Sequence, residues 1–175
     1  EVFIRDHDGA IPGFKGLYGF PGTLCISTNA AVVHGVPTNR EFEEDDIVSI
    51  DCGVLMNEFY GDSAYTFAFN GISDEIEKLL SVTKKALYLG IDQARVGNRV
   101  GDIGYSIQDF AEKQHGFGVV RDLVGHGLGK DLHESPEVPN YGKRGRGVQL
   151  KDGLVIAIEP MINLGNKAVK KAPDG

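Results

Sequence analysis

Ile47-Val48-Ser49-Ile50-Asp51-Cys52-Gly53-Val54-Leu55, Met56-Asn57, Glu58-Phe59-Tyr60-Gly61-Asp62 reads as two β-rich runs around a short break, the pattern of a hairpin. With Met56-Asn57 as a two-residue turn, Leu55 pairs with Glu58. The same register sets Asp51 directly opposite Asp62 on one face, because side chains alternate with period two. Like charges in that position destabilise a sheet. A cation between them, or a proton kept on one, removes the repulsion. A carboxylate turned to solvent or paired with Lys or Arg does so too, and the hairpin alone leaves these readings open.

On the N-terminal side, residues 22–34 alternate loosely, with Leu24, Ile26, Val32 and Val33 around a polar centre. Two short strands about a turn are expected there. Glu41 to Asp46 is a charge run expected as an exposed turn. On the C-terminal side the second run continues as strand over 58–69. Ser73 then caps a helix whose apolar positions Ile76, Leu79, Leu80, Thr83, Leu87, Ile91 and Ala94 follow helical spacing, with Gly97 ending it. A shorter helix carries Ile103, Ile107, Phe110 and Ala111 and closes at Gly116. Residues 119–124 are expected as a short strand, 125–147 as a long loop or loop-hairpin, and 154–163 as strand. Residues 1–8 read like the tail of a helix, and 171–175 as a turn leading into a strand. No repeat or linker divides the sequence, so one α+β domain over 1–175 is expected.

Bulk numbers narrow the function. The 175 residues suit one domain with a real core. Lys+Arg 18 against Asp+Glu 25 gives a net charge of −7, which argues against a nucleic-acid partner, since such binders need a basic face. The one basic cluster, Lys143-Arg144-Arg146, reads as a solvated loop. No apolar run is long enough to span a membrane, and the opening residues do not form a signal peptide. Cys25 and Cys52 make no disulfide framework and fit a reducing, cytoplasmic setting.

Four further residues stand out. His126 lies in Gly125-His126-Gly127-Leu128-Gly129, where flanking glycines allow close approach to the backbone. The glycines do not make a phosphate loop, because Asp131 follows Lys130 where Ser or Thr is required. His133 follows in Leu132-His133-Glu134-Ser135-Pro136. Glu159 ends the apolar run Leu154–Ile158 and precedes Pro160, where a ladder donor is lost. A carboxylate in that run must be paired, metal-bound or neutral. His34 sits in Val33-His34-Gly35-Val36-Pro37, a turn. Together Asp51, Asp62, Glu159 and one His form a mostly oxygen donor set, suited to harder divalent ions such as Mn, Fe(II) or Co.

Cys25 to Asn29, Val33 to Pro37, Ser49-Ile50-Asp51, Gly61-Asp62-Ser63, Gly125 to Gly129, His133 to Pro136 and Ile158-Glu159-Pro160-Met161 resemble, in order, the motifs of the type I methionine aminopeptidases. The resemblance covers essentially the whole chain. It implies the pita-bread α+β fold, a curved, mainly antiparallel sheet backed by helices. It implies two divalent ions (Co, Mn, Fe or Zn) and removal of N-terminal methionine from peptides and nascent polypeptides, in the cytoplasm and with transient ribosome association. By resemblance, Asp51 binds one ion, Asp62 bridges both, and His126 and Glu159 bind the other, with Glu159 also the general base. His34 would assist the leaving nitrogen and His133 would hold the substrate carbonyl. Phe14, Leu17, Phe20, Cys25 and Leu132 would form the methionine pocket, although aromatic residues are common in the family near positions 17 and 132. The resemblance also implies a second bridging Glu on a strand beyond residue 175 and a helix ahead of Glu1, so both flanks are expected to be missing here.

The alternatives are a prolidase or aminopeptidase P of the same fold, and a catalytically deficient binding relative. The stretch from Cys25 to Pro37 favours the methionine enzyme over the first. The filled ligand positions argue against the second. A cysteine hydrolase using Cys52 is disfavoured, because in a strand Cys52 faces away from Asp51.

Overall fold

A computed structural model describes residues 1–172; the expected turn at 171–175 lies mostly outside them. Contacts divide the chain into two compact units.

Among the described residues, the first unit comprises 1–73, 128–132 and 171–172. It opens with a short helix, α1 (Val2–Arg5), and continues with β1 (Ile11–Pro12), β2 (Cys25–Thr28), β3 (Ile47–Met56) and β4 (Phe59–Ala68). These strands form one antiparallel sheet, in which β3 pairs with β1, β2 and β4. The hairpin forms, but its turn is Asn57-Glu58, with Met56 paired to Phe59. Both turn residues have positive φ, 52° and 67°, as a two-residue hairpin turn requires. Asp51 therefore lies opposite Ala64, and Asp62 opposite Gly53. Moving the turn by one residue shifts the pairing by two. The two aspartates become diagonal neighbours, roughly 7–8 Å apart, and still share a face.

Only one strand forms within residues 22–34. Past Asn29 (φ 52°) the chain turns away, and Ile26 N–H is satisfied by the Gly35 carbonyl at 2.8 Å without a second regular strand. The charge run is exposed as expected except at its end. Asp46 is 1% exposed and accepts bonds from Arg40 at 2.9 and 3.2 Å, Asn29 at 2.6 Å and the Glu43 N–H at 2.9 Å. A buried carboxylate needs such partners.

The second unit comprises residues 74–127 and 133–170. It contains α2 (Asp74–Ile91), α3 (Val100–Gln108), β5 (Gly118–Val119), β6 (Gly125–Gly127), β7 (Glu134–Val138) and β8 (Ile162–Asn163). Helix α2 begins at Asp74, which leaves Ser73 at the N-cap position. Acidic Asp74, Glu75 and Glu77 occupy its first turn, where they complement the helix dipole. Its most buried stripe is Leu79, Val82, Ala86 and Gly90, while Ile91 is 44% exposed. The large-residue spacing in the sequence marks the flank of this stripe. The centre uses small residues because α3 approaches closely, with Ile103 and Ile107 packed against Gly90. Beyond α3 a π-helical turn spans Asp109–Gln114, and Gly116 (φ 75°) closes it.

β6 and β7 pair antiparallel, so the expected loop-hairpin over 125–147 contains a real ladder. Two expected strands are shorter than the sequence suggests. Of 119–124 only the first residue is in β5, and of 154–163 only Ile162 and Asn163 are in β8, with Ile156 in a single bridge to Gly127. Leu154 and Val155 are 37% and 57% exposed. Ile156, Ile158 and Ile162 from that run pack on the core of Leu79, Val82, Ile103, Ile107, Val119 and Val138.

Candidate functional site

In the first unit, Asp51 and Asp62 project from one face of the β3–β4 hairpin. Phe14 lies over Gly53, between them in the register; a side chain at Gly53 would collide with its ring. Cys25 pairs with Asp51 across β2–β3, so it shares that face, and Tyr60 does so two residues before Asp62. Phe14, Cys25 and Leu132 are buried together, with Leu17, Phe20, Tyr60 and Leu128 packed against them. Leu132 reaches this cluster because residues 128–132 run beside β4, where Tyr60 N–H donates to the Gly129 carbonyl at 2.8 Å. The cluster thus gathers the residues expected at a pocket and adds Tyr60 and Leu128. Tyr60 was legible in principle, since it shares the hairpin face of Asp62. Leu128 was not, because its side chain is placed by tertiary packing.

Burial pushes the Cys25 thiol up to about 12, and the negative charges of Asp51 and Asp62 add to the effect. Burial and the same two carboxylates also raise the Cys52 thiol. Both cysteines stay protonated at neutral pH, which removes the nucleophile a cysteine hydrolase needs. Cys52 pairs with Ser63, on the face away from Asp51.

His34 is exposed and has φ 59°, a left-handed conformation uncommon for a residue with a side chain. Its neighbour Gly35 is locked to β2 by Ile26 N–H donating to its carbonyl and by its own N–H donating to Ser27 Oγ at 3.0 Å. Non-glycine residues held in this region cluster at functional sites.

In the second unit, His126 lies in β6 and is buried. Its Nδ1 donates to the Gly127 carbonyl at 2.8 Å, which leaves the Nε2 lone pair as the donor for a ligand. Nε2 lies 3.0 Å from Glu159 Oε1. A neutral imidazole nitrogen and a carboxylate oxygen held this close are donors of the kind a divalent ion takes, so this pair fits a divalent metal. Glu159 is not in a strand. It is presented by the segment next to β6, where Ala157 N–H donates to the His126 carbonyl at 2.7 Å. The flanking glycines have a packing role as well: a Cβ at Gly125 would collide with the Ala157 carbonyl, and one at Gly127 with the Ser135 carbonyl. The His133 ring stands edge-on to His126, with centroids 4.4 Å apart.

The sequence matches the model of metallopeptidase family M24 over residues 2–172, and the chain belongs to that family. It is accordingly a hydrolase of the metal-dependent type. A methionine aminopeptidase from Clostridium perfringens is 54% identical over 175 residues, covering 100% of this chain and 70% of the relative. The crystal structure of methionine aminopeptidase from Rickettsia prowazekii superposes with a TM-score of 0.94 at 40% identity, over 98% of this chain and 68% of that one. These relatives place the chain, within the family, among the methionine aminopeptidases. Prolidase from Pyrococcus horikoshii shares the pita-bread fold, with a TM-score of 0.68 at 24% identity over 78% of this chain and 39% of its own. Among the described residues no helix is long and apolar enough to cross a membrane.

Proposed function

We propose that residues 1–175 form the metallopeptidase catalytic domain, without its N- and C-terminal flanks, of a protein that removes N-terminal methionine from peptides and nascent polypeptides, with Asp51, Asp62, His126 and Glu159 supplying ligands to two divalent ions. The observation that carries this reading is that the Asp51–Asp62 carboxylate face is also the face of the apolar cluster of Phe14, Cys25 and Leu132. A carboxylate pair beside an apolar cluster suits a substrate with a free amino end and an apolar first side chain. The His126–Glu159 geometry and the family membership support the metal half of the proposal. The same reading carries a cytoplasmic location and transient ribosome contact.

Asp51, Asp62, His126 and Glu159 would hold the ions, whose chemistry would be to polarise the scissile carbonyl and to lower the pKa of an attacking water. Glu159 accepts a proton from that water at a carboxylate oxygen as the new C–O bond forms. His133 donates a hydrogen bond to the carbonyl oxygen as charge develops there. His34 delivers a proton to the departing nitrogen as the C–N bond breaks. The Phe14, Leu17, Phe20, Cys25 and Leu132 side chains hold the first residue and exclude water around it.

The test, on the full-length protein, is hydrolysis of Met-Ala-Ser and of Trp-Ala-Ser before and after removal of metal by chelation, followed by Mn²⁺ add-back. Cleavage of the methionine peptide alone, lost on chelation and restored by Mn²⁺, is expected. Full activity in verified metal-free protein refutes the metal assignment, and equal rates on both peptides refute the pocket.

A further inference from the structure

Asn140 is fully buried, and its side chain is only half satisfied. Its Nδ2 donates to the backbone carbonyl of Glu159 at 2.6 Å, while its Oδ1 is buried without a hydrogen-bond partner among the described residues. Its one hydrogen bond falls at a particular point in the backbone. The peptide between Glu159 and Pro160 has no N–H, so the Glu159 carbonyl is the only polar group by which that peptide can be held. On one side of it, Ala157 N–H is bonded to the His126 carbonyl. On the other, Val120 N–H is bonded to the Met161 carbonyl at 3.0 Å. Asn140 secures the residue between these two anchors.

The segment carrying Asn140 is itself firmly seated. Val138 is paired with Gly125, beside His126. The carbonyls of Pro139 and Tyr141 press against α3 where Gly104 presents no side chain. Gly142 N–H donates to Gln108 at 3.2 Å, and the Arg121 guanidinium lies 4.6 Å from the Tyr141 ring centre. One end of this platform therefore fixes the strand of His126, and the Asn140 amide fixes the backbone of Glu159.

We infer that Asn140 is a positioning residue for the metal site: it ties Glu159 to the same platform as His126 and so sets the 3.0 Å spacing of their donor atoms. This rests on the proposal that His126 and Glu159 are ligands. Supports of this kind typically change metal affinity or activity by about 10–100-fold.

The variants are Asn140→Leu, which keeps the branched outline with added bulk and removes the donor, and Asn140→Asp, which keeps shape and, when ionised, removes the donor. Mn²⁺ is titrated calorimetrically into metal-free protein, Tm is measured without metal, and kcat and KM are measured on Met-Ala-Ser. The expected result is a metal-free Tm within a few degrees of wild type, Mn²⁺ affinity weakened about 10–100-fold, and a loss in kcat with KM little changed. Wild-type affinity and kcat in either folded variant overturn the inference. Failure of both variants to fold also overturns it, since Asn140 would then be structural. Glu159→Ala separates the two levels of argument. If it binds Mn²⁺ like wild type, the ligand assignment has failed. If it loses Mn²⁺ while the Asn140 variants do not, only the positioning role has failed.

Discussion

Replacing His34 by Gly and by Ala separates the stability of its loop from its chemistry. His34 holds φ 59°, and the chain after it cannot easily relax. Gly35 is bonded to Ile26 and to the buried Ser27, and a side chain at Gly35 would collide with the Ile26 carbonyl. A left-handed residue with a Cβ is disfavoured by roughly 1–2 kcal/mol. Glycine escapes that penalty but loses about 0.5–1 kcal/mol more backbone entropy on folding. The difference leaves His34→Gly about 1 kcal/mol more stable than His34→Ala. For a chain of this size that is a Tm difference of about 2–4 °C. Both variants lack the imidazole, so both are expected to lose about 10²–10⁴ in kcat while retaining bound Mn²⁺. Thermal melts, turnover and metal content on the same samples check this. If His34→Gly melts no higher than His34→Ala, the left-handed geometry is not enforced by the loop. If metal is lost in proportion to activity, His34 is a ligand and not a proton donor.

Two other perturbations test the frame around the site. The Arg40 guanidinium, with the Glu43 N–H and Asn29, holds the Asp46 carboxyl down from the usual 3.8 to about 2. Because the folded value is the lower one, its stabilisation is present above the ordinary carboxylate pKa and disappears as pH falls through about 2. The Tm gap between wild type and Asp46→Asn should therefore be steady near neutral pH and close between about pH 4 and pH 2; a gap that widens with acid contradicts the assignment. Gly104→Ala pushes a methyl group into the carbonyls of Pro139 and Tyr141, so a loss of about 1–3 kcal/mol in denaturant unfolding is expected. Unchanged stability would show that the platform under Asn140 yields readily.

By itself the sequence determined which residues share a face. Period-two alternation sets Asp51 and Asp62 on one side of the hairpin, and that survives a wrong turn. A turn displaced by one residue moves the pairing by two, as Asn57-Glu58 shows. Ordered motifs around His34, His126, His133 and Glu159 likewise carry the family, because each needs particular residues at short range. Tertiary structure alone decided the rest. Val82, Ala86 and Gly90 face the core through the nearness of α3, while hydrophobic spacing pointed to their larger neighbours. The run before Glu159 looked like a strand, yet a strand exists only where another chain segment supplies a regular ladder, and among the described residues only Ile156 and then Ile162–Asn163 are paired in one. Leu128 joining Phe14 and Cys25, and Asn140 gripping Glu159 across 19 residues, are contacts between segments distant in sequence. Local propensity has no information about them, because their energy arises only when those segments are packed together.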